Sequence, residues 1–133
     1  MLKTATHWKI AIRAPVASLK LLIVEDSEGF RSVIRSSLAS LSPEIQECSD
    51  GDQALLLYMQ NRPDVVLMDI RMTRVNGLTA TYIITAEDRN AKIIILTAFD
   101  DEDLREAARQ AGASAYVLKD NLQSLAELIL SLS

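Results

Sequence analysis

Short apolar runs that alternate with stretches of helical periodicity constrain this chain more than any other feature. Residues 19–24, 65–68, 93–96 and 115–118 are compact apolar segments bounded by charged, polar or small residues. Runs of this length suit strands covered on both faces, as in a parallel sheet. Between them, Phe30, Val33, Ile34, Leu38 and Leu41 fall at the i, i+3, i+4 spacing of one helix face. Ala54, Leu55, Leu57 and Tyr58 mark a second helix, and Leu104, Ala107, Ala108 and Ala111 form the inner stripe of a fourth. Leu122, Leu125, Ile129 and Leu132 form the inner stripe of a fifth. Residues 44–48 alternate as a strand at a sheet edge does. Five strands and five helices follow one another within residues 19–133. The alternation predicts an α/β domain with a five-stranded parallel sheet, helices on both faces and right-handed crossovers.

The punctuation agrees. Asp26 or Ser27 is placed to cap the first helix and Pro43 to stop it. Asn61-Arg62-Pro63 closes the second. A weaker helix is expected over residues 78–86, where Thr79, Thr81, Ile83, Ile84 and Thr85 lower propensity and leave tertiary contacts to hold it. The acids at 100–103 suit a helix start, and Gly112 suits a left-handed C-cap. Asp120 or Asn121 is the expected cap of the last helix, and Leu128 and Leu130 lie off its apolar stripe, a hint of a partner surface.

Composition narrows the function. A net charge of −4 argues against direct nucleic-acid binding. Lys3, Lys9, Arg13 and Lys20 are four of the 14 basic residues, and none of the 18 acids precedes residue 21, so the body of the chain is acidic. Residues 1–18 carry no helical or strand pattern, contain Pro15 and are expected to be a flexible basic extension, with the domain proper at 19–133. Within the extension His7, the sole histidine, has no cysteine or histidine neighbours with which to build a metal site. The single cysteine, Cys48, suits a reducing compartment. No apolar run approaches the roughly 20 residues of a membrane helix. A cytoplasmic protein is expected.

The strand ends carry the chemistry. Ligands collect at the C-terminal ends of the strands in open α/β sheets, and here those ends read Glu25-Asp26, Asp69, Thr97 and Lys119. Crowded carboxylates raise one another's pKa values unless a cation sits among them. An all-oxygen, partly hydrated donor set suits Mg²⁺. A lysine and a threonine hydroxyl opposite would receive the remaining oxygens of a phosphoryl group, leaving Asp69 as an in-line nucleophile.

The motifs Leu-Ile-Val-Glu-Asp at 22–26, Val-Val-Leu-Met-Asp-Ile at 65–70, Ile-Leu-Thr-Ala at 95–98 and Ala-Tyr-Val-Leu-Lys-Asp at 115–120 resemble those of the receiver domains of two-component response regulators. The resemblance covers about residues 19–133. It implies a flavodoxin-like strand order 2-1-3-4-5 and phosphorylation of Asp69 by a histidine kinase or phosphotransfer protein. It also implies Mg²⁺ held by Glu25, Asp26, Asp69 and the backbone carbonyl of Arg71. Lys119 would contact the phosphoryl group, Thr97 would move toward it, and Tyr116 would turn inward, remodelling the surface of the fourth helix, fifth strand and fifth helix. Such a surface makes a homodimer an expected partner. Leu118-Lys119-Asp120 looks closest to regulators that carry a C-terminal helix-turn-helix.

The loop after Asp69 departs from the family, which usually has Met-Pro; here Met72 is followed by Thr73 and Arg74. Arg71 and Phe99 stand at positions that in the family influence water attack on the phosphoaspartate. Neither carries a carboxylate or amide, so slow self-dephosphorylation is expected. An aspartyl-nucleophile phosphatase is the rival enzyme reading, but Arg71 stands where that class resembles Asp-x-Asp. A phosphorylation-independent scaffold is the rival binding reading, set against a complete pocket.

Overall fold

The computed structural model describes residues 18–133, so the expected extension at residues 1–18 lies, except for Ser18, outside the described residues. Five strands, β1 (Lys20–Val24), β2 (Glu44–Cys48), β3 (Val65–Met68), β4 (Ile93–Thr97) and β5 (Ala115–Leu118), form one sheet in the order β2-β1-β3-β4-β5. Every pairing is parallel. The helices are α1 (Glu28–Ser37), α2 (Ala54–Asn61), α3 (Gly77–Glu87), α4 (Glu102–Ala111) and α5 (Leu125–Leu132).

Alternation along the buried strands sorts their side chains into two layers. Leu22, Val24, Val66, Met68, Ile93 and Ile95 pack with Ala54 and Tyr58 of α2, Ala80 and Ile84 of α3, and Ala108 of α4. Leu21, Ile23, Val65, Leu67, Ile94 and Leu96 face Ile34 and Leu38 at α1 and Leu125 and Ile129 of α5. Each fully buried aliphatic side chain contributes roughly 1.5–3 kcal/mol by leaving water. That contribution holds α3 in place despite its β-branched residues; Ala80, Thr81 and Ile84 are buried, and Asn76 caps it by accepting from the Thr79 amide at 2.9 Å.

Local signals set most helix ends as expected. Ser27 rather than Asp26 caps α1, accepting from the Phe30 amide at 3.1 Å. Asp101 caps α4 through the Leu104 amide at 3.0 Å, and Gly112 closes that helix at φ 103°. Three expectations need correction. The first α-helix ends at Ser37, well before Pro43, because Leu38 donates to both Ile34 and Arg35 carbonyls and the chain tightens into a 3₁₀ turn over Ala39–Leu41. Neither Asp120 nor Asn121 caps the last helix. A 3₁₀ turn over Leu122–Ser124 intervenes, and α5 starts at Leu125, where burial begins. Leu128 packs against the core, leaving only Leu130 of the two off-stripe leucines exposed. Among the described residues no helix is long and apolar enough to cross a membrane.

Candidate functional site

The sheet ladder runs one residue past its strands and thereby places the site. Asp69 donates its amide to the Val24 carbonyl at 2.9 Å, and Glu25 donates to Cys48 at 3.0 Å. On the other side Lys119 donates to the Thr97 carbonyl at 2.7 Å. Backbone pairing thus brings the ends of β1, β3, β4 and β5 into one pocket. Carboxylate oxygens of Glu25, Asp26 and Asp69 lie within 4.8 Å of one another. The Lys119 ammonium reaches Glu25 Oε1 at 2.9 Å and Asp69 Oδ1 at 3.4 Å, and its Nζ sits 4.5 Å from the centre of the Phe30 ring.

Burial dominates the electrostatics of the two inner acids. Glu25 and Asp69 are buried whereas Asp26 is exposed. Removal from water pushes the pKa of both inner carboxyls up, and Lys119 only partly offsets this. Burial works against the charge of Lys119, but its bond to Glu25 and the field of Asp69 prevail and raise its pKa. One lysine therefore pairs with two of the three clustered acids. The excess negative charge, the hard oxygen donors and the open side at Asp26 fit a small hydrated divalent cation such as Mg²⁺.

Thr97 is fully buried at the end of β4, and its hydroxyl oxygen accepts from the Phe99 amide at 3.3 Å. Tyr116 on β5 is half-buried and donates its hydroxyl to the Phe99 carbonyl at 2.6 Å, while the Arg105 guanidinium stacks 4.4 Å from its ring centre. Arg71 is exposed and lays its guanidinium 4.2 Å from the centre of the Phe99 ring. Thr97, Tyr116 and Arg71 thus all contact one residue, Phe99, in the segment after β4.

Two contributors were not evident from the sequence. Asp50, which reads only as part of a turn, is buried and accepts from the backbone of Arg74 and Val75 in the loop after β3. Arg31 on α1 donates to the Glu25 carbonyl and pairs with Glu47 at 2.9 Å, bracing the β1 end from behind. An acid beside glycine was a usable signal for the first. Nothing in the periodicity marked the second. Cys48 is buried, and burial pushes its thiol pKa up to about 11, which disfavours the thiolate.

The response regulator receiver domain model matches residues 21–130. The chain belongs to the response regulator receiver family. This receiver is 41% identical over 105 residues to the transcriptional regulatory protein PdtaR of Mycobacterium tuberculosis, a match covering 75% of this chain and 49% of that one. It is 34% identical to the transcriptional regulatory protein DegU of Brevibacillus brevis, over 77% of this chain and 44% of the relative. The receiver thus spans about half the length of the curated relatives it matches. A LuxR-family DNA-binding response regulator from Staphylococcus aureus superposes with a TM-score of 0.73 at 30% identity, covering 86% of this chain and 98% of that one. The chemotaxis protein CheY4 of Vibrio cholerae shares the fold, with a TM-score of 0.81 at 22% identity over 88% and 100% of the two chains. Receiver domains are regulatory switches of two-component systems rather than metabolic enzymes, and an acidic Mg²⁺ pocket is typical of them.

Proposed function

We propose that this receiver accepts a phosphoryl group on Asp69 from the phosphohistidine of a histidine kinase or phosphotransfer protein. The observation that carries the reading is the buried Asp69 carboxylate, clustered with those of Glu25 and Asp26 and bridged to Glu25 by Lys119. In the transfer an Asp69 oxygen forms a bond to phosphorus while the phosphorus–nitrogen bond to the donor imidazole breaks, and the imidazole retains the electron pair. Glu25, Asp26, Asp69 and the Arg71 carbonyl would hold Mg²⁺, which when bound neutralises charge on the phosphoryl oxygens. Lys119, already hydrogen-bonded between two acids, would exchange its Asp69 contact for a phosphoryl oxygen.

The added group brings roughly −1.5 to −2 charge and three acceptor oxygens. These can accept the Thr97 hydroxyl proton, while the hydroxyl oxygen accepts from the Phe99 amide in this structure. Drawing Thr97 and its loop inward breaks the bond between Tyr116 and the Phe99 carbonyl, so Tyr116 turns and the α4–β5–α5 surface changes. A shift from 1:99 to 99:1 requires about 5.5 kcal/mol of differential interaction. A lysine contact and a hydroxyl bond in a half-buried site supply a good part of that. The altered surface would then act on a partner, an output domain or a second copy of the chain.

Arg71 and Phe99 stack beside the site and offer no carboxylate or amide to orient water. Self-dephosphorylation is therefore slow, and a phosphorylated half-life of seconds would contradict it. Intact-protein mass after incubation with Mg²⁺ and a small acyl phosphate tests the central step. One phosphoryl adduct is expected on the parent and none on Asp69→Asn or without Mg²⁺. An adduct-free parent that remains folded would leave a phosphorylation-independent scaffold.

A further inference from the structure

The loop of residues 70–77 contains no proline to stiffen it, yet it is held firmly from outside. Both carboxylate oxygens of Asp50 are committed to it. Oδ2 accepts from the Arg74 amide and Oδ1 from the Val75 amide, each at 2.8 Å, across sequence separations of 24 and 25 residues. The local bond from the Asp52 amide is longer, at 3.3 Å. Among the described residues no basic side chain pairs with Asp50, because Arg74 turns its guanidinium to Asp52 at 3.0 Å. The countercharge is a pair of loop amides, and charge-assisted bonds of this kind are the strong ones. Gly51 completes the grip: its amide donates to the Val75 carbonyl at 3.2 Å, and a Cβ there would lie 2.5 Å from that same oxygen. The far end of the loop is closed by the Gly77 amide on the Ile70 carbonyl at 2.8 Å.

We infer that Asp50 is a positioning residue for the metal side of the site, fixing the loop that presents the Arg71 carbonyl. The inference rests on the reading of that carbonyl as a Mg²⁺ ligand. Asp50 touches no reacting atom; it acts by holding the backbone between Asp69 and α3 in register with the ends of β1 and β2. Partners that orient a ligand in this way typically govern metal affinity by 10–100-fold. A turn residue with a purely local role would leave affinity unchanged.

The test is Mg²⁺ titration by calorimetry together with amide hydrogen exchange on the metal-free protein, for the parent, Asp50→Ala, Asp50→Asn and Asp64→Ala. Asp64 is the matched control, since its carboxylate also accepts a distant backbone amide, that of Lys20 at 2.8 Å, but at the opposite end of the sheet. Asp50→Ala should weaken Mg²⁺ about tenfold and speed exchange at Arg74 and Val75, while Ile95 in β4 keeps its protection. Asp50→Asn keeps one acceptor and should weaken Mg²⁺ by a smaller factor of about three to five. Asp64→Ala should bind Mg²⁺ as the parent does. A folded Asp50→Ala that binds Mg²⁺ within about twofold of the parent would overturn the inference. If that variant does not fold, Asp50→Asn with parental affinity would overturn it equally. A parent that binds no Mg²⁺ removes the site reading itself, a result distinct from either.

Discussion

Two loops flank the acidic pocket, and they are built on opposite principles. The loop after β3, residues 69–77, is gripped through its backbone by buried groups: Asp50 and Gly51 hold Val75 and Arg74, and Gly77 closes on Ile70. The loop after β4, residues 98–101, is exposed throughout. Beyond the Asp100 and Asp101 bonds that start α4, its contacts include the Tyr116 hydroxyl, the Arg71 stack and the Thr97 hydroxyl bond, each made by a side chain. Backbone clamps of buried charge resist displacement, whereas half-exposed side-chain contacts exchange for others at little cost. The receiver therefore has a fixed side for the proposed metal and an adjustable side for the proposed switch.

Substitutions sharpen this contrast, beginning with the largest effect. A Cβ at Gly77 would run into the Asp69 carbonyl and meet the Met68 side chain at 2.9 Å, so Gly77→Ala should cost about 3 kcal/mol in urea unfolding. Gly51→Ala meets the Val75 carbonyl, and should cost about 2 kcal/mol and speed amide exchange at Val75. Comparable losses from any single substitution in residues 98–100 would break the contrast; Asp101 stands apart as the cap of α4.

The pocket between the loops predicts a gain. Burial raises the pKa of Asp69, so its ionised form weakens the metal-free fold above that raised value, and the deficit disappears as pH falls toward the ordinary carboxylate range. Asp69→Asn should therefore raise the melting temperature by about 3 °C at neutral pH without Mg²⁺. The difference should shrink on acidification or on adding Mg²⁺. A variant that melts below the parent at neutral pH would contradict the assignment. The smallest effect belongs to the adjustable side: Tyr116→Phe removes one half-exposed hydrogen bond and should cost only about 0.5 kcal/mol in the same unfolding experiment. A loss above about 2 kcal/mol would mean that the loop after β4 is clamped as well.

Much of this architecture is legible in the chain itself. The strand order, both helical layers and the convergence of Glu25, Asp26, Asp69, Thr97 and Lys119 follow from periodicity, from the residue that ends each apolar run and from the family motifs those residues compose. These are mostly local signals, because side-chain alternation and capping chemistry act over a few residues. Other features depend on distance. The early end of α1 at Ser37 and the 3₁₀ turn before α5 are decided by how Leu38 and Leu125 seat in the core, against the local stop signal of Pro43 and the expected caps.

The same division runs through the site. The carboxylates are readable in the sequence because each stands just past the end of an apolar strand. Only tertiary structure shows that Asp50 spends its charge on amides 24 and 25 residues away, and that Arg71 stacks on Phe99. Contacts between segments that meet only after folding leave no period in the chain, so the loop that is fixed and the loop that is free are distinguished by packing alone.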